Sequence, residues 1–143
     1  MPVVEIALLR SLPLFAELPA PAIEGLAGAL TPARVPAGTV LIRQGDPGDA
    51  YYAIAAGELD AWQDGHFLRR CGRGEGVGEI ALLRAIPRTA TVVAHTAATV
   101  YELDREPFLT AVLGHAPTQR RADSIADVRL ATGIEPLDGD ARG

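Results

Sequence analysis

The sequence predicts an α+β chain that is mainly β: an antiparallel β-roll or jelly-roll with helices before and after it. Three observations predict it. From Thr31 onward, apolar segments of four to seven residues are separated by glycine and proline turns, the spacing of short antiparallel strands. Before Thr31, apolar residues recur at helical intervals. After Asp104 they do so again.

Residues 3–10 are expected to form a short helix with Val3, Ile6 and Leu9 on one face, broken by Ser11-Leu12-Pro13-Leu14-Phe15. A second helix begins near Pro21, a good first-turn residue. Ile23, Leu26, Ala27 and Leu30 then fall at i, i+3, i+4 and i+7. Strands are expected near 33–35, 39–43, 50–56, 58–63, 66–71, 89–95 and 97–103. Asp104 is placed as the N-cap of a helix from Arg105, with Phe108, Leu109 and Val112 as its apolar face. Gly114-His115-Ala116-Pro117 interrupts. Residues 118–132 form a last helix, with Gly133 as its stop. The chain reads as one domain over 1–133 (helices 1–30, roll 31–103, C-terminal helices 104–133), with 134–143 a disordered tail.

The stretch that carries chemistry runs from Gly78 to Thr91. It follows Gly72, Gly74, Gly76 and Gly78, alternating glycines read as a flexible loop. Glu79-Ile80-Ala81-Leu82-Leu83 then gives a short helical turn that Pro87 stops. A helix starting after glycine offers free backbone N–H groups and the positive end of its dipole. Arg88 can fold back toward the same spot. An anion held by amides and a planar guanidinium, beside an acid that accepts a hydroxyl proton, describes a nucleotide. On the residues alone a second reading stays open: Glu79 as a favourable first-turn acid and Arg88 as a surface residue.

Composition excludes several classes. The chain has 143 residues, 48% apolar, with a formal net charge of −5. A length of this order suits one domain with a real core. The negative balance argues against general nucleic-acid binding. No apolar run approaches the roughly 20 residues of a membrane span, and no basic-then-apolar N-terminal segment marks a signal peptide. The one cysteine, Cys71, cannot form an internal disulfide, which suits a reducing, cytoplasmic compartment. Its neighbours Arg69, Arg70 and Arg73 raise the question of a lowered thiol pKa, against the plainer reading of a small residue at a strand end. His66, His95 and His115 match no zinc spacing. Asp46-Pro47-Gly48-Asp49 is read as a turn rather than a calcium loop. The glycine run fails as a dinucleotide fingerprint, because Val77 stands at its third glycine position. Ser11 and Ser124 sit in no nucleophile elbow. Trp62 and Tyr101 are read as packing residues, and Arg120 and Arg121 as a solvated helix face. The chain is read as a binding module, with no catalytic residue, no metal and no cofactor.

Gly78-Glu79-Ile80-Ala81-Leu82-Leu83 followed by Pro87-Arg88-Thr89-Ala90-Thr91-Val92 resembles the phosphate-binding cassette of cyclic-nucleotide-binding domains. The resemblance extends upstream through Val40 to Leu59 and downstream through Tyr101 to Leu109, covering roughly residues 10 to 113. It implies a β-roll with a helical bundle, and cAMP or cGMP as ligand. Carried over position by position, Gly78 lets the backbone approach the sugar-phosphate ring and Glu79 accepts the ribose 2′-hydroxyl proton. The amides around Ile80 and Ala81 meet the cyclic phosphate, Arg88 pairs with its charge, and Thr89 adds a hydroxyl; Ala90 completes the ligand-binding set.

Two positions depart from the family pattern. Val77, adjacent to the base, stands where many members carry an aromatic residue. Thr89 stands where strictly cAMP-selective kinase domains tend to have alanine and cGMP-selective ones threonine; bacterial and channel domains with threonine or serine use cAMP as well. The reading leans to cAMP. Arg129 and Leu130 are named for a lid, although no motif carries that residue over.

A sensor of this kind transmits occupancy through its C-terminal helices, with Leu82 and Leu83 repacking against Phe108 and Leu109, to an effector domain or protein outside the chain. Too little chain follows Gly114 for the DNA-binding unit that some family members carry. Residues 109–116 resemble regulatory domains appended to actinobacterial transporters of the major facilitator type, which would make a membrane transporter the partner. The alternatives kept are a degenerate, ligand-free roll acting as a protein-interaction scaffold, and a cupin-type metalloenzyme.

Overall fold

The computed structural model describes residues 3–134. Two helices, α1 (Val3–Ser11) and α2 (Ala20–Ala29), precede eight strands: β1 (Thr31–Val35), β2 (Val40–Ile42), β3 (Ala50–Ala56), β4 (Leu59–Gln63), β5 (His66–Cys71), β6 (Gly76–Val77), β7 (Thr91–Ala94) and β8 (Ala98–Asp104). Helix α3 (Glu79–Arg84) lies between β6 and β7, and α4 (Arg105–Leu113) and α5 (Ala116–Ile134) follow β8. All strand pairs are antiparallel, in two four-stranded sheets ordered β1-β8-β3-β6 and β2-β7-β4-β5. The mainly β architecture with flanking helices is the one expected.

There are two hydrophobic cores, and β3 and β8 form the wall between them. Side chains alternate across a strand. Tyr51 and Ala53 of β3 and Leu103 of β8 therefore face the helices, where they meet Leu9, Leu12, Phe15, Leu26 and Phe108. Ile54 and Val100 face the inside of the roll, with Ile42, Leu59, Cys71, Val77 and Val92. The register Ala53↔Tyr101 and Ile54↔Val100 keeps like faces opposite each other.

Several local expectations change. The glycine run is not wholly loop: Gly76 and Val77 pair with Ala53 and Tyr52. A side chain at Gly76 would run into the Tyr51 ring, so only glycine lets this strand lie so close. The break after α1 is itself core. Tight backbone bonds from Leu12 to Leu9, Phe15 to Leu12 and Leu18 to Phe15 bury Leu12, Leu14, Phe15 and Leu18. Pro117 is accommodated in the first turn of α5, where its missing N–H costs nothing; the interruption shrinks to Gly114-His115. Gly133 does not stop the last helix, which runs through Ile134. Asp104 occupies the N-cap position of α4 but makes no side-chain capping bond. Of the expected tail, Ile134 belongs to α5, and the remainder lies outside the described residues.

Cys71 is 1% exposed, and burial pushes its thiol up, against the smaller opposing pull of Arg69. The plainer reading of this residue therefore holds over an activated thiol. Trp62 packs edge-on to Phe67 on the roll surface. No described helix is long and apolar enough to cross a membrane.

Candidate functional site

The site is organised by one glycine and one buried arginine. Gly78 caps α3 with φ of 101°, in the left-handed region, where glycine adopts the turn without strain. A Cβ here would also stand 2.7 Å from Arg88 Nη1 and 3.0 Å from the Ala50 carbonyl oxygen. Arg88 is 6% exposed. Its Nη1 donates to the Gly78 carbonyl at 3.1 Å and its Nη2 to the Ala50 carbonyl at 2.8 Å. The guanidinium has five N–H donors, so it can hold these two carbonyls and still present protons elsewhere. Burial lowers its pKa from the ordinary arginine value; Tyr52, Asp49 and Glu79 act in the opposite direction.

The backbone around Arg88 is fixed by the turn at 45–49. The Arg88 N–H donates to the Asp46 carbonyl at 2.8 Å, and the Gly45 N–H donates to the Arg88 carbonyl at 2.9 Å. This tie keeps 86–90 irregular, so β7 starts at Thr91 rather than Thr89. It also gives the Asp-Pro-Gly-Asp turn a structural purpose. A side chain on Gly48 would collide with Ala81 and approach the Arg88 guanidinium to 3.2 Å.

Glu79 is 2% exposed although charged. Arg129, reaching in from α5, donates to both of its carboxylate oxygens at 2.7 and 2.8 Å, and to the Gly76 carbonyl at 3.1 Å. Burial pushes the Arg129 guanidinium down, but the Glu79 carboxylate, through its charge and its hydrogen bond, acts with Tyr51 and Cys71 to raise the pKa above the ordinary arginine value. A second link joins α3 to α5. Arg84 donates to Asp123 Oδ1 at 3.0 Å and to Asp127 Oδ1 at 2.5 Å.

All eight residues singled out from the sequence line one cavity. Val77, Gly78, Glu79, Ile80 and Ala81 form one wall, and Arg88, Thr89 and Ala90 another. The floor is apolar and comes from the second sheet: Ile42, Val92 and Ala61. The Thr89 carbonyl is tied to Gln63 Nε2 at 2.9 Å. Arg69 and Arg129 complete the lining. The empty volume, including the open mouth, is about 370 Å³. Three arginines face one carboxylate here, in a chain whose overall charge is −5. A cavity of that sign concentrates anions.

Sequence reasoning missed the floor residues and Arg69, which register between distant strands brings to the cavity. Arg129 was named without a motif behind it, and it is the described residue that closes on Glu79. The side chain of Leu130 lies outside the described residues. Among the described residues, no group of three or more His, Cys, Asp and Glu gathers to hold a metal.

A family model for the cyclic nucleotide-binding domain matches residues 32–115. The chain belongs to this family. As a cyclic nucleotide-binding domain it is 39% identical over 104 residues to the cAMP-dependent protein kinase regulatory subunit of Aspergillus niger, covering 71% of this chain and 25% of that protein. Its fold is similar to the regulatory domain of Toxoplasma gondii PKA crystallised with cAMP: TM-score 0.78, 32% identity, 99% of this chain and 54% of that one. It is also similar to the regulatory subunit of a cAMP-independent protein kinase A from Trypanosoma brucei, with TM-score 0.76 and 26% identity over 86% of this chain and 47% of that one. The cyclic nucleotide-binding domain spans a quarter of the length of the Aspergillus relative. The Aspergillus relative is a regulatory subunit of its kinase.

Proposed function

We propose that this domain binds a 3′,5′-cyclic purine nucleotide, with cAMP the first candidate, and passes its occupancy through α5 to an effector outside the chain. The observation that carries the reading is the buried Arg88, fixed by two carbonyls at the wall of a cationic cavity that also holds the buried Glu79 carboxylate. In this reading the cyclic phosphate meets Arg88 and the amides of Ile80 and Ala81, with Thr89 alongside. Gly78 leaves room for the sugar ring, Ala90 and Val77 border the ligand, and Glu79 accepts the ribose 2′-hydroxyl proton.

Glu79 is also the partner of Arg129. A ligand hydroxyl on Glu79 must share or replace the Arg129 bonds, so the carboxylate couples the pocket to α5. A sensor requires such a difference between its states. Leu82 and Phe108 already share the helical core, with Leu83 and Leu109 packed against it, so a shift of α3 is felt by α4 as well. Hydrogen-exchange measurement tests the path. In Arg129→Ala, cAMP is expected still to bind but no longer to protect α5 amides. Protection equal to that of the unaltered protein would remove Glu79–Arg129 from the mechanism.

Calorimetric titration with cAMP and cGMP, with Arg88→Ala as control, tests the function itself. Binding of either nucleotide that is lost in the variant supports the sensor. Binding of neither favours the scaffold reading, which the similarity to a cAMP-independent regulatory subunit keeps in play. For a binding sensor, a kinase catalytic subunit is the first effector to test, given the regulatory-subunit relatives. None of the relatives named above is a transporter.

A further inference from the structure

Thr89 and Ala90 line the cavity, yet they belong to neither α3 nor β7. The residues on either side of them are anchored to the turn before β3. Arg88 is fixed there through its own N–H and carbonyl. Thr91 Oγ1 accepts a bond from the Gln44 N–H at 3.0 Å. Between these anchors the Thr89 carbonyl is held by a side chain, Gln63, whose Nε2 donates to it at 2.9 Å.

Register explains how Gln63 reaches it. The pairing of β4 with β7 ends at Trp62↔Thr91. One step further along antiparallel strands would set Gln63 opposite Ala90, but β7 has not begun there. The Gln63 carboxamide extends past that point and donates in place of a backbone amide. Its own position is set by the hairpin that follows. Asp64 and Gly65 have φ of 51° and 81°, the left-handed pair of a tight two-residue turn. Gln44 clamps that turn. Its Nε2 donates to Asp64 Oδ1 at 2.9 Å, and its Oε1 accepts the Asp64 N–H at 2.9 Å. Gln44 therefore holds both the turn and Thr91, and Gln63 bridges the same two segments. A peptide unit is planar, so a fixed Thr89 carbonyl also fixes the Ala90 N–H and restrains the Thr89 side chain beside it.

We infer that Gln63 is a positioning residue of the binding site. Through the Thr89 carbonyl it holds the Thr89 hydroxyl toward the ligand, and nucleotide affinity depends on it although its side chain is not part of the described cavity lining. The inference rests on the cyclic-nucleotide reading of the site. A neutral hydrogen bond of this kind is worth about 2- to 12-fold in an equilibrium.

The test is a double-mutant cycle on the whole chain: unaltered, Gln63→Met, Thr89→Ala and both together, each titrated with cAMP. Methionine keeps the length of the side chain and removes its donor without adding charge. Gln63→Met is expected to weaken cAMP by about 3- to 12-fold while Thr89 is present. Once Thr89→Ala has removed the hydroxyl, the same change is expected to cost less than about twofold. A purely structural role would cost the same factor in both backgrounds, because independent effects add. That result, or no loss with Thr89 present, would overturn the role of Gln63. Nitrogen relaxation on the free protein adds a readout that needs no ligand. In Gln63→Met the order parameters of the Thr89 and Ala90 amides are expected to fall from about 0.85 toward about 0.6, with those of β7 unchanged. Equal order in the variant and the unaltered protein would also overturn the inference. If the unaltered chain binds no cyclic nucleotide, the reading of the site fails instead, and this inference fails with it.

Discussion

Replacing Arg88 by alanine is expected to abolish measurable nucleotide binding and to lower the stability of the free protein. Truncating one side of a buried charge contact costs about 2–5 kcal/mol, or roughly 30- to 4000-fold in affinity. The structure adds the second effect. Arg88 donates to the Gly78 and Ala50 carbonyls from a position only 6% exposed. Removing it leaves both without that donor, at about 1–3 kcal/mol for each group left unsatisfied. Arg88→Lys keeps a charge but cannot span both carbonyls and the ligand, so it should recover little. Calorimetry with cAMP and cGMP, beside a thermal melt of each variant, checks both halves. Undiminished affinity in Arg88→Ala would exclude Arg88 as the phosphate partner.

Phe108→Ala is expected to be the most destabilising single truncation in the helical core. Phe108 is fully buried. It meets Phe15 edge-on at 5.9 Å between ring centroids, and Tyr51 at 5.2 Å with a 32° tilt. Phe15 and Tyr51 are themselves edge-on at 5.7 Å. The trio joins α4 to β3 and to the turn after α1. Emptying such a site costs about 3–5 kcal/mol, a large share of the roughly 5–15 kcal/mol that holds a domain together. Urea unfolding should show a markedly lower midpoint with an unchanged slope. A loss below about 1 kcal/mol would mean that the surroundings collapse into the space, and that the trio is not the anchor of α4.

The parts of the site that were legible in the sequence are those set by local geometry. Gly78, Glu79 and Arg88 lie within eleven consecutive residues, and a short helix that ends before Pro87 leaves the chain few ways to fold back. Strand positions were legible because glycine and proline punctuate them. What stayed hidden depends on partners far away in the chain. Arg69 reads as one of three basic residues around Cys71 until Val92, paired with Ala61 from far along the chain, brings their row of the sheet to the cavity. Gly48 reads as a turn residue until Ala81 is seen to need its space. Arg129 has no spacing that announces it, because its meaning comes from Glu79, fifty residues earlier. The strand at Gly76–Val77 was hidden for a related reason. Alternating glycines signal freedom, whereas here one of them permits contact with the Tyr51 ring.

The wall shared by the two cores makes the molecule one cooperative unit. A strand whose alternate side chains serve different interiors cannot slip by one residue without emptying both. Neither the roll nor the helical bundle can then melt while the other persists, since each would lose β3 and β8 together. Trp62, the single tryptophan, sits on the roll, whereas the helices dominate far-UV circular dichroism. The two signals are expected to trace one coincident unfolding curve. Curves that separate would mean that the roll stands without its helices.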